Sequence, residues 1–177
     1  MNASSSSPSS PKRRWFLRAG LAVGGAVALF GGTVFWRRGI VDNKLTEPGA
    51  EVIRAVAAGV LDDVLPAEAG ARTAALDAHL KNMSRFLGNV PPMLRTELSV
   101  LLGALANTAG RTALTGMVGS WSSATPHDVQ RALEHMRMSP LETVQMVYHA
   151  LRDINTITFY SSSDNWKSVG YPGPLDI

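Results

Sequence analysis

Cysteine is absent from this 177-residue chain. Its absence excludes disulfide bonds, covalent c-type haem attachment, iron–sulfur clusters and zinc sites built on thiolates. The sequence also lacks HExxH, GxSxG, GxGxxG and the phosphate-binding motif GxxxxGK[ST]. These patterns are typical of zinc peptidases, serine hydrolases and nucleotide-binding proteins. We therefore predict that the chain is not an enzyme and that it binds no metal or cofactor of its own.

Residues suited to acid–base or metal chemistry are few and scattered. No two of the four histidines lie three or four positions apart, the spacing that would place two ligands on one helix face. We predict surface or partly buried positions for His79, His127, His135 and His149. Of these, His149 on the last predicted helix is the one to check for a buried partner. Asp62 and Asp63 are adjacent and point in different directions on a helix, so we predict a solvated face near a helix end.

Basic residues are concentrated at the amino terminus. Positions 1–44 hold seven basic residues and one acidic residue, which gives a net charge of +6. The rest of the chain holds ten basic and thirteen acidic residues, which gives a net charge of −3. A nucleic-acid-binding protein would carry its positive charge on the folded domain, so we predict no nucleic-acid partner.

The stretch PKRRWFLRAG, at positions 11–20, resembles a twin-arginine export signal. The pattern of that signal is Arg-Arg-x-Phe-Leu-Lys. It is matched by Arg13, Arg14, Phe16, Leu17 and Arg18, with Arg18 in place of the usual lysine. The resemblance implies that the twin-arginine export machinery moves this chain to the periplasm in a folded state.

An uncharged run extends from Ala19 to Trp36 and contains five glycines, which fits the weakly hydrophobic middle of such signals. As a helix the run would span about 27 Å, slightly less than the roughly 30 Å hydrocarbon core of a bilayer. An ordinary single-span membrane anchor is therefore the alternative. The one small-x-small cleavage site within the run, at 26–28, lies too early. We expect an uncleaved signal that anchors the periplasmic protein to the inner membrane.

From residue 47 onward, apolar residues recur at three- and four-residue spacing, which predicts helices. The first predicted helix ends at Pro66. A second covers roughly 71–87, and a third begins at Pro91-Pro92 and weakens at Gly110. No alternating strand of useful length is present.

Two later helix starts are marked by their capping residues. Thr125 and Ser139 each precede a proline and have an acidic residue three positions later, which predicts two capping boxes with proline at the first helical position. The fold class is therefore all-α. We predict a small bundle of about five helices, preceded by a signal or anchor helix and followed by an irregular aromatic tail.

The carboxyl-terminal stretch ITFYSSSDNWKSVGYPGPLDI is rich in aromatic residues. Its Tyr171-Pro172-Gly173-Pro174 sequence suits a type II turn, because proline presets φ and glycine accepts a positive φ. A stiff segment with aromatic anchors loses little entropy on docking and favours a binding hot spot. The alternative is that the rings fold back onto the bundle, and the two arrangements can coexist. The predicted partner interface comprises Phe159, Tyr160, Trp166, Gly170, Tyr171, Pro172, Gly173 and Pro174.

A twin-arginine leader, a small helical body and this closing motif resemble the gluconate 2-dehydrogenase subunit 3 family. The matching residues are Phe159, Tyr160, Trp166, Gly170, Tyr171, Gly173 and Pro174. The resemblance implies an accessory subunit beside a large flavin-dependent dehydrogenase of the glucose-methanol-choline type, which holds FAD. It also implies that a c-type cytochrome often completes the complex.

These observations divide the chain into five parts. They are a disordered Ser/Pro-rich and twin-arginine region (1–18), an apolar signal or anchor (19–36), a linker (37–48), a helical bundle (49–160) and an aromatic Gly/Pro tail (161–177). We predict a non-catalytic small subunit that escorts and anchors a periplasmic flavin-dependent dehydrogenase. The alternative is a stand-alone, membrane-anchored helical envelope protein that acts as a binding module or assembly factor.

Overall fold

The structure, a computed structural model, describes residues 38–173. This part contains a two-stranded hairpin, six α-helices and two short 3₁₀ segments. The strands are β1 (Ile40–Val41) and β2 (Lys44–Leu45). The helices are α1 (Glu47–Val60), α2 (Ala69–Gly88), α3 (Pro92–Ala106), α4 (Thr108–Thr115), α5 (Pro126–Arg137) and α6 (Glu142–Tyr160). The 3₁₀ segments are Asp62–Val64 and Ser163–Val169. The predicted all-α bundle is confirmed.

Helix α1 lies at the centre of the bundle and packs against α2, α3, α5 and α6. The Thr46 hydroxyl begins the helix by accepting a hydrogen bond from the Gly49 backbone N–H at 3.3 Å. Pro48 occupies the first turn, where a missing N–H costs little because the helix gives it no partner. Because α1 has neighbours on several sides, Val52 and Val56 are fully buried.

Residues 38–46, within the segment predicted as a linker, form a hairpin that packs on α3. Asp42 and Asn43 have φ angles of 49° and 64°, and two positive values in succession are what a type I′ turn requires. Ile40 points into the bundle, and Val41 points away from it. This segment therefore belongs to the folded domain. Strands of two residues are too short to show an alternating pattern in the sequence.

The third predicted helix breaks at Asn107 and does not weaken at Gly110. The Asn107 side chain accepts a hydrogen bond from the Ala109 backbone N–H at 2.9 Å and begins α4. Gly110 lies inside α4, where an added Cβ would stand 2.3 Å from the Ala104 carbonyl oxygen. The glycine therefore permits a close approach between two consecutive helices.

One of the two predicted capping boxes is present. The Thr125 side chain accepts from the Asp128 backbone N–H, and the Asp128 carboxylate accepts from the Thr125 N–H. The prediction at Ser139 is wrong, because α6 begins at Glu142 without a side-chain cap. The Ser139 hydroxyl accepts from the Leu141 N–H at 3.2 Å, and this local turn delays the start of the helix.

The buried apolar residues form two clusters. The larger one fills the space around α1 and includes residues of β1 and all six helices. The smaller one lies at the carboxyl-terminal end of α1 and joins Ala57, Leu61, Leu65, Leu76 and Phe159. Because Phe159 begins the aromatic motif, this second cluster attaches the start of the tail to the bundle.

Candidate partner interface at the carboxyl-terminal tail

Phe159 is a core residue and does not present its ring to a partner. Its side chain is 5 % exposed and packs in the smaller cluster against Leu61 and Leu76. Full burial of an aromatic ring contributes several kcal/mol to folding. We therefore correct the predicted interface at this position: Phe159 supports the tail from beneath.

The tail covers the end of α6 by satisfying its last carbonyl groups. The indole N–H of Trp166 donates to the Tyr160 carbonyl oxygen at 2.8 Å. The Asn165 side-chain amide donates to the Phe159 carbonyl oxygen at 2.7 Å. The last carbonyls of a helix have no partner within it, so these side chains serve as caps. Trp166 is consequently held in one position, with part of its ring exposed.

Gly170 ends the 3₁₀ segment in a Schellman-type turn. Its φ is +72°, and its backbone N–H donates to the Lys167 carbonyl oxygen at 3.1 Å. The Tyr171 N–H donates to the Trp166 carbonyl oxygen, also at 3.1 Å. This pair of bonds, with glycine in the left-handed region, defines the motif.

The same turn brings two aromatic rings together. The ring centroids of Trp166 and Tyr171 are 5.3 Å apart in an edge-on arrangement. An apolar contact between these two positions commonly accompanies a Schellman turn. The sequence pattern Trp-x-x-x-Gly-Tyr therefore has a local structural explanation in this turn.

Gly170 and five further residues of the predicted interface stay accessible. We call those five the tail surface: Tyr160, Trp166, Tyr171, Pro172 and Gly173. Tyr171 is 48 % exposed, and Pro172 is exposed as well. Gly173 has a φ of +108°, the positive sign that a type II turn requires at that position. Pro174, the last residue of the predicted turn, lies outside the described residues. The tail thus combines both predicted arrangements, with one ring inward and the others at the surface.

A buried polar contact links α2 to α6 beneath the tail. His79 Nε2 lies 2.9 Å from Asn155 Oδ1, and the Asn155 amide donates to the Leu151 carbonyl oxygen at 2.8 Å. His79 Nδ1 is buried with no hydrogen-bond partner in the described chain. Burial lowers the pKa of His79 below its ordinary value because the charged form would lose its hydration. This direction favours the neutral imidazole at neutral pH, and the ring joins two helices through Asn155.

Two predictions about histidines are wrong: His79 is buried at 2 % exposure and is not at a surface or partly buried position, and the buried partner belongs to His79 and not to His149. His149 is exposed and makes an edge-on ring contact with Tyr148, at 5.0 Å between centroids. His79 is the histidine with a buried partner, Asn155. No spacing could have indicated this pair, because the two residues come from helices that are far apart in the sequence.

Asp62 and Asp128 are engaged in a surface ion pair and in a helix cap, respectively. Asp62 pairs with Arg72 at the end of α1, as a solvated face near a helix end predicts. Hydrogen bonds lower the pKa of Asp128 to about 2. The bond from the Thr125 hydroxyl has the largest effect, and the bond from Arg131 has the second largest. Within residues 38–173, no group of three or more His, Asp or Glu side chains is placed to hold a metal ion.

An open groove of about 620 Å³ lies between the loop 116–124 and α5. Asp128, Arg131 and His135 contribute its charged and titratable side chains. Arg131 is already paired with Asp128 inside the groove.

The predicted export residues Arg13, Arg14, Phe16, Leu17 and Arg18 lie outside the described residues, as does the apolar run 19–36. Within the described part of the chain, none of the helices has the length and apolar character to cross a bilayer. No family model, curated protein or solved structure matches this chain. The resemblance to the gluconate 2-dehydrogenase subunit 3 family stays a prediction that rests on its motif residues.

Proposed function

We propose that this chain is the non-catalytic small subunit of a periplasmic, membrane-associated flavin-dependent dehydrogenase. Residues 13–18 direct export through the twin-arginine machinery, and residues 19–36 tether the chain to the inner membrane. The large partner subunit holds FAD and performs the chemistry. A c-type cytochrome would receive the electrons in the complete complex.

The observation that carries the proposal is the tail surface. Trp166 and Tyr171 are partly exposed, and the tail fixes them through the indole bond to Tyr160 and the Schellman turn at Gly170. Rings that are already ordered lose little entropy on binding, and tryptophan and tyrosine are enriched in interface hot spots. The tail surface is thus suited to holding a second protein.

The export route supports the same assignment. A flavoprotein must fold around its cofactor before export, because the cofactor is supplied inside the cell. A twin-arginine signal on one subunit can then carry a folded, signal-less partner across the membrane. An escort with this task requires a signal and a docking surface, and it requires no catalytic group.

The first experiment measures flavin retention by the full chain purified from native membranes in mild detergent. The expected result is FAD near one equivalent per chain, together with dehydrogenase activity towards an artificial electron acceptor. Tyr171→Ala should reduce both by roughly tenfold or more, as loss of a hot-spot ring does. Val118→Ala, which removes an exposed apolar residue from the loop 116–124 and not from the tail surface, is the matched control and should change neither.

Two outcomes would contradict the proposal. A wild-type chain that purifies as a stable monomer without flavin would favour the stand-alone binding module, for which the groove beside α5 is the supporting observation. Equal flavin retention by wild-type and Tyr171→Ala chains would remove the tail surface from the interface while leaving the complex itself intact.

The second experiment concerns export. Replacing Arg13 and Arg14 by lysine should leave both this chain and the flavoprotein in the cytoplasm, as immunoblots of fractionated cells would show. Correct delivery of both proteins by the double variant would refute the escort role.

A further inference from the structure

The chain enters the described domain along a fixed path. The Gly39 backbone N–H donates to the Ser99 carbonyl oxygen at 2.9 Å. The Ile40 N–H donates to the Ser99 hydroxyl at 3.0 Å, and that hydroxyl donates to the Ile40 carbonyl oxygen at 2.8 Å. The Thr46 hydroxyl donates to the Arg38 carbonyl oxygen at 2.9 Å. The position and direction of the chain are therefore set from Arg38 onward.

Two glycines allow this path. A Cβ added at Gly39 would stand 2.3 Å from the Leu102 Cβ, and one added at Gly49 would stand 2.2 Å from the Gly39 carbonyl oxygen. Such distances are far inside van der Waals contact. The entering strand therefore lies directly against α3 on one side and α1 on the other.

The distance from this entry to the apolar run is short. The run ends at Trp36, and only two residues separate it from Gly39. An extended chain covers at most about 3.6 Å per residue, so Gly39 lies within roughly 11 Å of the end of the run. A domain of this size has a radius of gyration of roughly 14 Å, so the tether is shorter than the radius. A tethered domain can therefore turn only a few of its faces toward the bilayer.

We propose that one defined face of the domain rests on the bilayer surface. This hairpin face consists of Arg38, Val41, Lys44, Pro92, Met93 and Arg95. The proposal rests on the proposed function, because it requires residues 19–36 to be the membrane anchor. The binding partner of the hairpin face is the lipid surface itself.

The hairpin face has the composition that a lipid surface favours. Val41 is 46 % exposed and Met93 is 77 % exposed, so each offers apolar area to the interfacial region. Arg38 and Lys44 are exposed cations that suit anionic headgroups. Asp42, which is exposed in the hairpin turn and lines the same groove as Arg38, opposes them with one negative charge and is outnumbered by the cations. Arg95 bonds to Asn43, which holds the first turn of α3 beside the tip of the hairpin.

This orientation determines which end of α1 faces the bilayer. Gly49, near the beginning of α1, touches the entering strand, whereas Leu61, directly after α1, packs with Phe159. Twelve residues of helix separate these points by about 18 Å. The tail surface therefore lies at the end of α1 away from the bilayer, and the proposed catalytic subunit would approach from the periplasmic side.

The absence of cysteine permits a direct test, because each introduced cysteine is the sole labelling site. Val41→Cys and Met93→Cys probe the hairpin face. Ile157→Cys is the matched control, since Ile157 is 45 % exposed on α6, one turn before Tyr160. Each full chain is labelled with a fluorophore and reconstituted into vesicles of phosphatidylethanolamine and phosphatidylglycerol that contain spin-labelled lipid. We expect quenching at positions 41 and 93 to exceed quenching at position 157 several-fold.

The readouts separate the inference from the function on which it rests. Vesicle flotation reports the anchor, and a chain that fails to float refutes both the anchor and the membrane-facing orientation. A chain that floats but shows equal quenching at positions 41 and 157 refutes the orientation alone. Insertion of ten Gly/Ser residues between Arg37 and Arg38 should abolish the difference in quenching. An unchanged difference after that insertion would overturn the short tether as its cause.

Discussion

The two ends of the described chain are attached to the bundle in opposite ways. The entering strand around Gly39 is buried between α1 and α3, and its backbone carries most of the contacts. The departing tail lies on the surface after Phe159 and is held by side-chain caps and one Schellman turn. The entry is therefore continuous with the core, whereas the tail is a separate layer laid over it.

This difference would have a consequence for the proposed function. In a tethered escort, a rigid entry would transmit the position of the membrane anchor to the whole domain. A tail on the surface can offer its rings to a partner while the core beneath it stays closed. Phe159 should mark the boundary between the core and the surface tail. It belongs to the aromatic motif by sequence and to the core by burial.

The largest expected effect tests that boundary. Phe159→Ala should lower the free energy of unfolding by about 3–5 kcal/mol, because it leaves a cavity in the smaller cluster. Tyr171→Ala should cost less than about 1 kcal/mol, because half of its ring is already exposed. Urea unfolding of the full chain in detergent, followed by circular dichroism, measures both values. Equal losses would show that the tail is part of the core and would break the comparison.

The second effect tests the entry. Gly49→Ala should destabilise the domain by about 1–3 kcal/mol, because the added methyl group meets a backbone carbonyl that cannot move without displacing the hairpin. Gly88→Ala is the control, since nothing lies within 4 Å of an added Cβ there. It should be neutral or stabilise the protein by up to about 1 kcal/mol through helix propensity. A tolerated Gly49→Ala would mean that the entering strand is as loosely held as the tail.

The sequence was most informative where structure is local. The Thr125 cap and the helical periodicity of α1 and α6 each depend on residues within a few positions, and these predictions are confirmed. The predicted end of the first helix at Pro66 is wrong, because α1 ends at Val60 and a short 3₁₀ segment follows it. Ser139 shows the limit of such patterns: its hydroxyl forms a competing local turn, so the helix begins later.

Contacts between distant residues could not be predicted from one sequence. The docking of Gly39 against Ser99 and the pairing of His79 with Asn155 join positions that no periodicity relates. The candidate interface was predictable in part. Its residues were identified as a group, but the inward position of Phe159 depends on a cluster that forms only in three dimensions.

The third prediction compares the two ends in acid. Burial lowers the pKa of His79, so between that folded value and its ordinary value near 6.5 the unfolded chain binds more protons. The contribution of His79 to stability is thus complete above about pH 6.5 and is lost as pH falls through the folded pKa. Because His79 lies beside Phe159, with ring centroids 6.3 Å apart, acid should loosen the tail end before the entry.

Hydrogen exchange of the full chain from pH 7 to pH 5 measures this difference, after correction for intrinsic exchange rates. Protection should fall first around Asn155 and Phe159 and later around Ile40. His79→Gln keeps an N–H donor for Asn155 but does not titrate, so its curve should be flatter over this range. Parallel loss of protection at both ends, or an unchanged slope in His79→Gln, would contradict the prediction.

The smallest expected effect concerns the tail alone. Gly170→Ala places a side chain at a φ of +72°, where an L-residue costs roughly 1–2 kcal/mol. Because the tail is a surface layer, this cost should open the Schellman turn locally and leave the global unfolding midpoint unchanged. Trypsin cleavage after Lys167 should accelerate several-fold, whereas Gly170→Asn should behave nearly like the wild type because asparagine tolerates the left-handed region. A lower global midpoint in Gly170→Ala would couple the tail to the core, and unchanged cleavage would mean that contacts other than this turn keep the aromatic rings in place.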